Sequence, residues 1–164
     1  YLNAVYNLDQ QLAVFADRLK ARNLWDRSLI VIVGDRGEAF HEHGFGNHSG
    51  PMYDEVMRTF VMIKPPKGSA LKRGTFDGAV SHLDITATIP DLLDIPVPDS
   101  FQGVSILRNS GNSDGETPVR ETSVRKTPVF MYTNAVVKQS GVVHWPWKLL
   151  KTYYPFEKME LYHL

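Results

Sequence analysis

The stretch LIVIVGDRGEAFHEHGFGNHSGPMYDEVMR, residues 29–58, decides how the rest of the chain is read. It opens on five aliphatic residues, Leu29 to Val33, four of them β-branched. A short apolar run of this kind predicts a strand buried on both faces, as in a parallel sheet covered by helices. The run stops at Gly34-Asp35-Arg36-Gly37, and a polar loop follows that carries Glu38, His41, Glu42, His43 and His48. Ligands of open α/β sheets collect beyond the carboxyl ends of strands, so this loop is the place to seek chemistry.

Working outward, residues 2–19 place Leu2, Val5, Leu8, Leu12, Phe15 and Leu19 at spacings of three and four, which predicts an amphipathic helix that stops at Asn23. Downstream, Pro51 to Arg58 reads as a short helix and Thr59 to Ile63 as a second buried strand. A basic Gly/Pro-rich loop covers 64–78. Ser81 to Asp84 then opens a helix whose apolar face is Ile85, Ile89, Leu92 and Leu93, with Pro90 expected to kink it or split it in two. Residues 108–121 are polar and read as a linker or long loop. Beyond them, short strands from Val124, Ala135, Val142, Trp147 and Met159 predict an antiparallel sheet, with Trp145 and Trp147 largely buried. Two buried strands are too few for a self-sufficient parallel sheet, which points to one part of a larger α/β domain.

Composition narrows the function classes. The 164 residues are 43% hydrophobic and 22% charged with a formal net charge of zero, which suits a globular domain and argues against a nucleic-acid binder. No run reaches the length of a membrane helix. The absence of cysteine excludes thiolate nucleophiles and disulfides within these residues.

The residues then carry a family resemblance. Asp35-Arg36-Gly37-Glu38, Glu42-His43-Gly44, His48, Tyr53-Asp54-Glu55 and Arg58 to Ile63 run in the order of a sulfatase motif series. That series has Asp-His-Gly-Glu at a strand end, a Gly-Glu-His-Gly turn, a Lys or His, Tyr-Glu, and an Arg-Val-Pro-Leu-Ile strand. Ser81 to Ile85, Phe101 to Leu107, Trp147-Lys148-Leu149 and Glu160 to Leu164 continue the register. The chain thus resembles the C-terminal part of a sulfatase-type domain of the alkaline phosphatase superfamily.

The resemblance implies an α/β fold: the C-terminal part of an alkaline-phosphatase-like α/β/α sandwich over 1–107, a linker at 108–121, and a small antiparallel sheet subdomain over 122–164. It implies a fragment of a hydrolase that cleaves sulfate esters by a metal-assisted covalent route, inactive as this chain alone. Its substrate is an anionic sulfate or phosphate ester. Its other partner is the N-terminal part of the same domain, in an exported or membrane-tethered parent.

The resemblance makes Asp35 the metal ligand, for Ca²⁺ first and Mg²⁺, Mn²⁺ or Zn²⁺ as alternatives. It makes His48 the catalytic and substrate-contacting residue, and His43 a substrate-binding one. Arg36 departs from the pattern, because a guanidinium has no lone pair for a cation; its expected role is to bind the anionic ester. No nucleophile is found: Thr117-Pro118-Val119-Arg120 has Glu116 where the Cys or Ser belongs. Two other readings stand beside this one. One is a phosphoethanolamine- or phosphoglycerol-type transferase or phosphodiesterase of the same superfamily. The other is a non-catalytic anion-binding relative, suggested by Arg36.

Overall fold

A computed structural model describes residues 1–69, 71, 73–76, 78–109 and 127–164. The first helix, α1 (Leu2–Ala21), follows the predicted apolar spacing. It ends where Asn23 takes a left-handed conformation (φ 55°), with the Leu24 N–H returning to the Leu19 carbonyl at 2.9 Å. Asparagine tolerates that region better than most residues, which is why it can stop the helix. No residue of α1 is buried.

The aliphatic run forms β1 (Ile30–Val33), and a four-residue helix, α2 (Asp54–Met57), follows the polar loop. The second strand, β2 (Val61–Lys64), pairs with β1 in a two-stranded sheet. The expectation of full burial does not hold for either strand. Most of their residues are half-buried, and Val33 and Met62 are exposed, so among the described residues no layer fully covers both faces of the pair. The helix also begins later than Pro51. The Met52 N–H is drawn to Gln139 and the Tyr53 N–H to the Pro51 carbonyl, so neither enters a helical turn.

Next comes α3 (His82–Leu92), one continuous helix, so of the kink or split expected from Pro90 the split does not occur. Pro90 takes one N–H out of the ladder, but it sits in the last turn, so little helix follows it, and its carbonyl still accepts from Leu93 and Ile95. The start is fixed by Asp84, 1% exposed, whose Oδ2 accepts the Ser81 N–H (2.8 Å) and whose Oδ1 accepts the Val104 N–H (2.9 Å). A short helix, α4 (Ile106–Asn109), follows. The predicted linker lies almost wholly outside the described residues, as does the strand start at Val124.

The C-terminal part is an antiparallel sheet in the order β3 (Val129–Asn134), β4 (Lys138–His144), β5 (Trp147–Tyr154) and β6 (Lys158–His163). It is separate from the β1–β2 pair, as the strand pattern predicted. The runs at Ala135 and Val142 merge into the single strand β4. Trp147 is 48% exposed rather than buried, with its ring edge-on to His163 at 4.7 Å. By contact, Tyr1–Ile32 groups with the segment that starts at Val61, and Val33–Phe60 with the segment that starts at Leu71. The polar loop, α3 and the antiparallel sheet therefore share the second unit.

Within that unit, the sheet holds the segment that leads into α2. Gln139, 1% exposed, accepts the Met52 N–H at 2.7 Å and donates to Thr152 at 2.9 Å. Lys148, 2% exposed, pairs with Asp54 at 2.6 Å. Glu160 accepts from Tyr53 (3.2 Å), Tyr162 (2.7 Å) and Lys158 (2.7 Å). Burial works against the charged form of Glu160, but Lys158 and the two hydroxyls outweigh it and hold the carboxyl below its usual range.

Two measurements test this arrangement. Gln139→Leu strands the Met52 N–H in a buried place and should lower stability by about 1–3 kcal/mol in denaturant unfolding; an unchanged midpoint would mean the N–H finds another acceptor. Because the folded carboxyl of Glu160 is depressed, its contribution is present above the ordinary value of 4.5 and is lost as pH falls through the lower folded value. Glu160→Gln should accordingly be less stable at neutral pH yet lose less further stability on acidification, as read by unfolding curves along a pH series.

Candidate active site

Polar side chains of the loop after β1 converge on one carboxylate. Glu38, three residues beyond Asp35, receives Arg36 Nη1 on Oε2 at 2.9 Å. His48 Nδ1 meets the same oxygen at 3.2 Å and Oε1 at 3.3 Å. The Arg36 guanidinium, with His48 in support, keeps the Glu38 carboxyl below its usual range against the opposing effect of burial. Arg36 also donates to the Gly37 carbonyl at 3.3 Å, so its fork is turned along the loop.

Asp35 stands apart from this array. Its side chain is 91% exposed and has Arg36 Nε at 4.0 Å. Directly before it, the Gly34 carbonyl accepts from His82 Nε2 at 2.9 Å, and the Gly34 N–H donates to the Phe60 carbonyl at 3.0 Å. These two bonds pin the backbone that presents Asp35. One exposed carboxylate is a hard oxygen ligand, but not a cage. Among the described residues, no three His, Asp or Glu side chains gather to hold a cation. The donor set here fits a divalent ion only as one ligand among others.

His43 turns to a different partner. Its Nδ1 lies 2.6 Å from Glu55 Oε1, and its ring stacks on Tyr53 with centroids 4.0 Å apart. Tyr53 in turn donates to Glu160, so His43 rests on the antiparallel sheet through one aromatic ring. His41 is exposed with φ 76°. The loop therefore brings Arg36 and His48 together on Glu38, sends His43 to Glu55 and leaves Asp35 open to solvent.

Gly37 joins the two halves. Its N–H donates to the Val56 carbonyl at 2.7 Å, and a Cβ on it would run into the Glu55 carbonyl oxygen. The strand-end loop and α2 are in backbone contact there.

Glu38 is the residue that sequence reasoning left out of the site. It stands in the Asp-Arg-Gly-Glu string, where the resemblance assigns it no role. The available signal was the reach of its carboxylate over both Arg36 and a histidine ten residues on.

Comparison with known proteins places this geometry. Residues 1–95 match the Sulfatase family model. Over 85 residues, 52% of this chain and 16% of the relative, the chain is 32% identical to the uncharacterized sulfatase YidJ of Escherichia coli (strain K12). It superposes with a TM-score of 0.74 and 25% identity on BT4656 solved in complex with its substrate D-glucosamine-2-N,6-O-disulfate, covering 99% of this chain and 33% of that one. Phosphonate monoester hydrolase SpPMH from Silicibacter pomeroyi shares the fold at TM-score 0.65 and 18% identity, with 94% of this chain and 32% of that one covered. The chain thus spans about a third of the solved proteins it matches and a smaller share of YidJ. With the family model covering more than half of its length, and with a mixed helix-and-sheet architecture of the alkaline-phosphatase-like kind, this chain belongs to the sulfatase family.

Proposed function

We propose that the full-length protein containing this chain is a hydrolase of sulfate esters, and that these residues carry one side of its active site. The observation that carries the reading is the strand-end loop itself. It presents an exposed Asp35 carboxylate beside a guanidinium and an imidazole that share Glu38. Support comes from BT4656, a relative similar along nearly the whole chain, which is solved with a sulfated substrate.

In this reading Asp35 supplies one oxygen ligand to a divalent cation, Ca²⁺ in the first instance, whose remaining ligands come from outside these 164 residues. When bound, such a cation polarises the non-bridging oxygens of the ester. Arg36, tethered at Nη1, keeps its other N–H groups for an anionic oxygen. His48 binds the ester oxyanion or gives a proton to its leaving oxygen. The role of His43 is to contact substrate from the Tyr53 ring on which it rests. The nucleophile also comes from outside the chain, which contains no cysteine and no Ser-Xaa-Pro-Xaa-Arg string. A parent that is exported or membrane-tethered suits this reading.

A second reading, a non-catalytic anion binder, rests on Arg36 alone. Upstream sequence separates the two, because a nucleophile motif belongs only to the enzyme.

Residues 1–164 alone should leave a chromogenic aryl sulfate intact, whereas the full-length protein should cleave it and lose at least about 100-fold in kcat on Asp35→Ala. Turnover by the isolated chain, abolished by Asp35→Ala, would sink the division of labour proposed here.

Arg36→His gives a sharper test. Two unit charges about 4 Å apart interact by roughly 4 kcal/mol at an effective dielectric near 20, and Glu38 offsets part of that repulsion. The variant should therefore bind Ca²⁺ about tenfold more tightly by calorimetry. Equal or weaker cation binding would mean that Arg36 does not repel the ion and would remove this account of its effect.

A further inference from the structure

We infer that Glu38 is a positioning residue that holds His48 as its Nδ1–H tautomer, leaving Nε2 as the atom offered to the ester. The inference rests on the reading of His48 given above and adds the group that makes one ring nitrogen the working one. Imidazole nitrogens are not equivalent, and the hydrogen bond made by one decides which proton the other carries. A carboxylate accepts and does not donate, so the nitrogen facing Glu38 must bear hydrogen. That nitrogen is Nδ1, with both carboxylate oxygens within 3.3 Å.

Arg36 completes the device. By donating to Oε2 it restrains the carboxylate and favours its ionised form, so Glu38 stays an acceptor. The same oxygen therefore carries both bonds, 2.9 Å from the guanidinium and 3.2 Å from the imidazole. A residue that only neutralised Arg36 would not need to face His48 with its second oxygen as well. The side chain is also a quarter exposed, too open for a buried packing role.

The distinction has a chemical consequence. With Nδ1–H tied to Glu38, neutral His48 presents a lone pair at Nε2 and protonated His48 presents an N–H there. In either state the proton traffic with the ester runs through Nε2 and the ring does not flip between cycles. Loss of the acceptor frees the ring to rotate and to carry its proton on either nitrogen. Outer-sphere partners that orient an imidazole in this way are commonly worth about 10- to 100-fold where they have been removed.

The test uses the full-length protein with ¹⁵N-labelled histidine, the His48 resonances being assigned by their absence in His48→Gln. At a pH where His48 is neutral, the wild-type ring should show a protonated Nδ1 and an unprotonated Nε2. Glu38→Ala should move the proton toward Nε2, while Glu38→Gln, whose carbonyl oxygen can accept both bonds, should keep it on Nδ1. An Nε2–H ring in the wild type, or a ring unchanged by Glu38→Ala, overturns the inference.

Activity supplies the second arm. With a poor leaving group, an alkyl sulfate, Glu38→Ala should lower kcat by about 10- to 100-fold with little change in KM. With nitrophenyl sulfate, whose leaving oxygen needs no proton, the loss should be under about threefold. Equal losses on both esters would make Glu38 a structural residue only. If the protein cleaves neither ester, the proposed activity fails while the ring-nitrogen measurement still decides the role of Glu38.

Discussion

The short helix α2 cannot stand by itself, and the site depends on how that is resolved. Four residues are far below the length at which a helix is stable in water, and Tyr53 at its N-cap makes no side-chain cap. The antiparallel sheet supplies what is missing. Gln139 takes the Met52 N–H, Lys148 neutralises Asp54, and Glu160 receives the Tyr53 hydroxyl. These bonds come from three neighbouring strands, β4, β5 and β6, whose antiparallel ladders set their spacing. The C-terminal sheet is thus the template on which the loop end is assembled. His43, stacked on Tyr53 and bonded to Glu55, inherits its position from that template.

Much of this framework was readable from residue order, and the limits have a physical origin. The aliphatic run at 29–33, the Asn23 stop and the antiparallel strand series each reflect local preference, so they could be read from short windows. The motif series from Asp35 onward also named the family. The grip on α2 could not be read that way. Its three bonds join residues 87, 94 and 107 positions apart, and no periodicity records a partner at that distance. Pro90 does not split the helix, because it falls in the last turn with little helix beyond it, and that placement was not visible in the apolar spacing. Trp147 was expected to be buried on the strength of its size, yet strand alternation turns it outward and sets it against His163.

The site itself divides along the same line. Asp35, Arg36, His43 and His48 were all selected from the sequence, but their partners were not. Charge balance is local: one carboxylate stands against one guanidinium and one imidazole, and Lys148 against Asp54. Among the described residues, other ion pairs such as Lys20 with Asp17 and Lys67 with Asp26 lie on exposed surface. Arg36 departs from the family pattern, and Glu38 absorbs that departure. A guanidinium beside Asp35 would be a bare cation at the mouth of the strand, and the carboxylate two residues on draws it aside.

Gly37 limits how this loop can diverge. Any side chain there would push the strand-end loop off the backbone of α2, because the space is filled by the Glu55 carbonyl. The cost would fall on both flanks at once, displacing Glu38 with the array it anchors and Glu55 with the histidine it holds. Glu42 and Asn47 face solvent, and their side-chain oxygens accept only from nearby loop N–H groups, those of Phe40 and Ser49. The glycine is thus the one residue of the loop that ties Glu38 and Glu55 to a common backbone seam, so that a change at the seam reaches both carboxylates together.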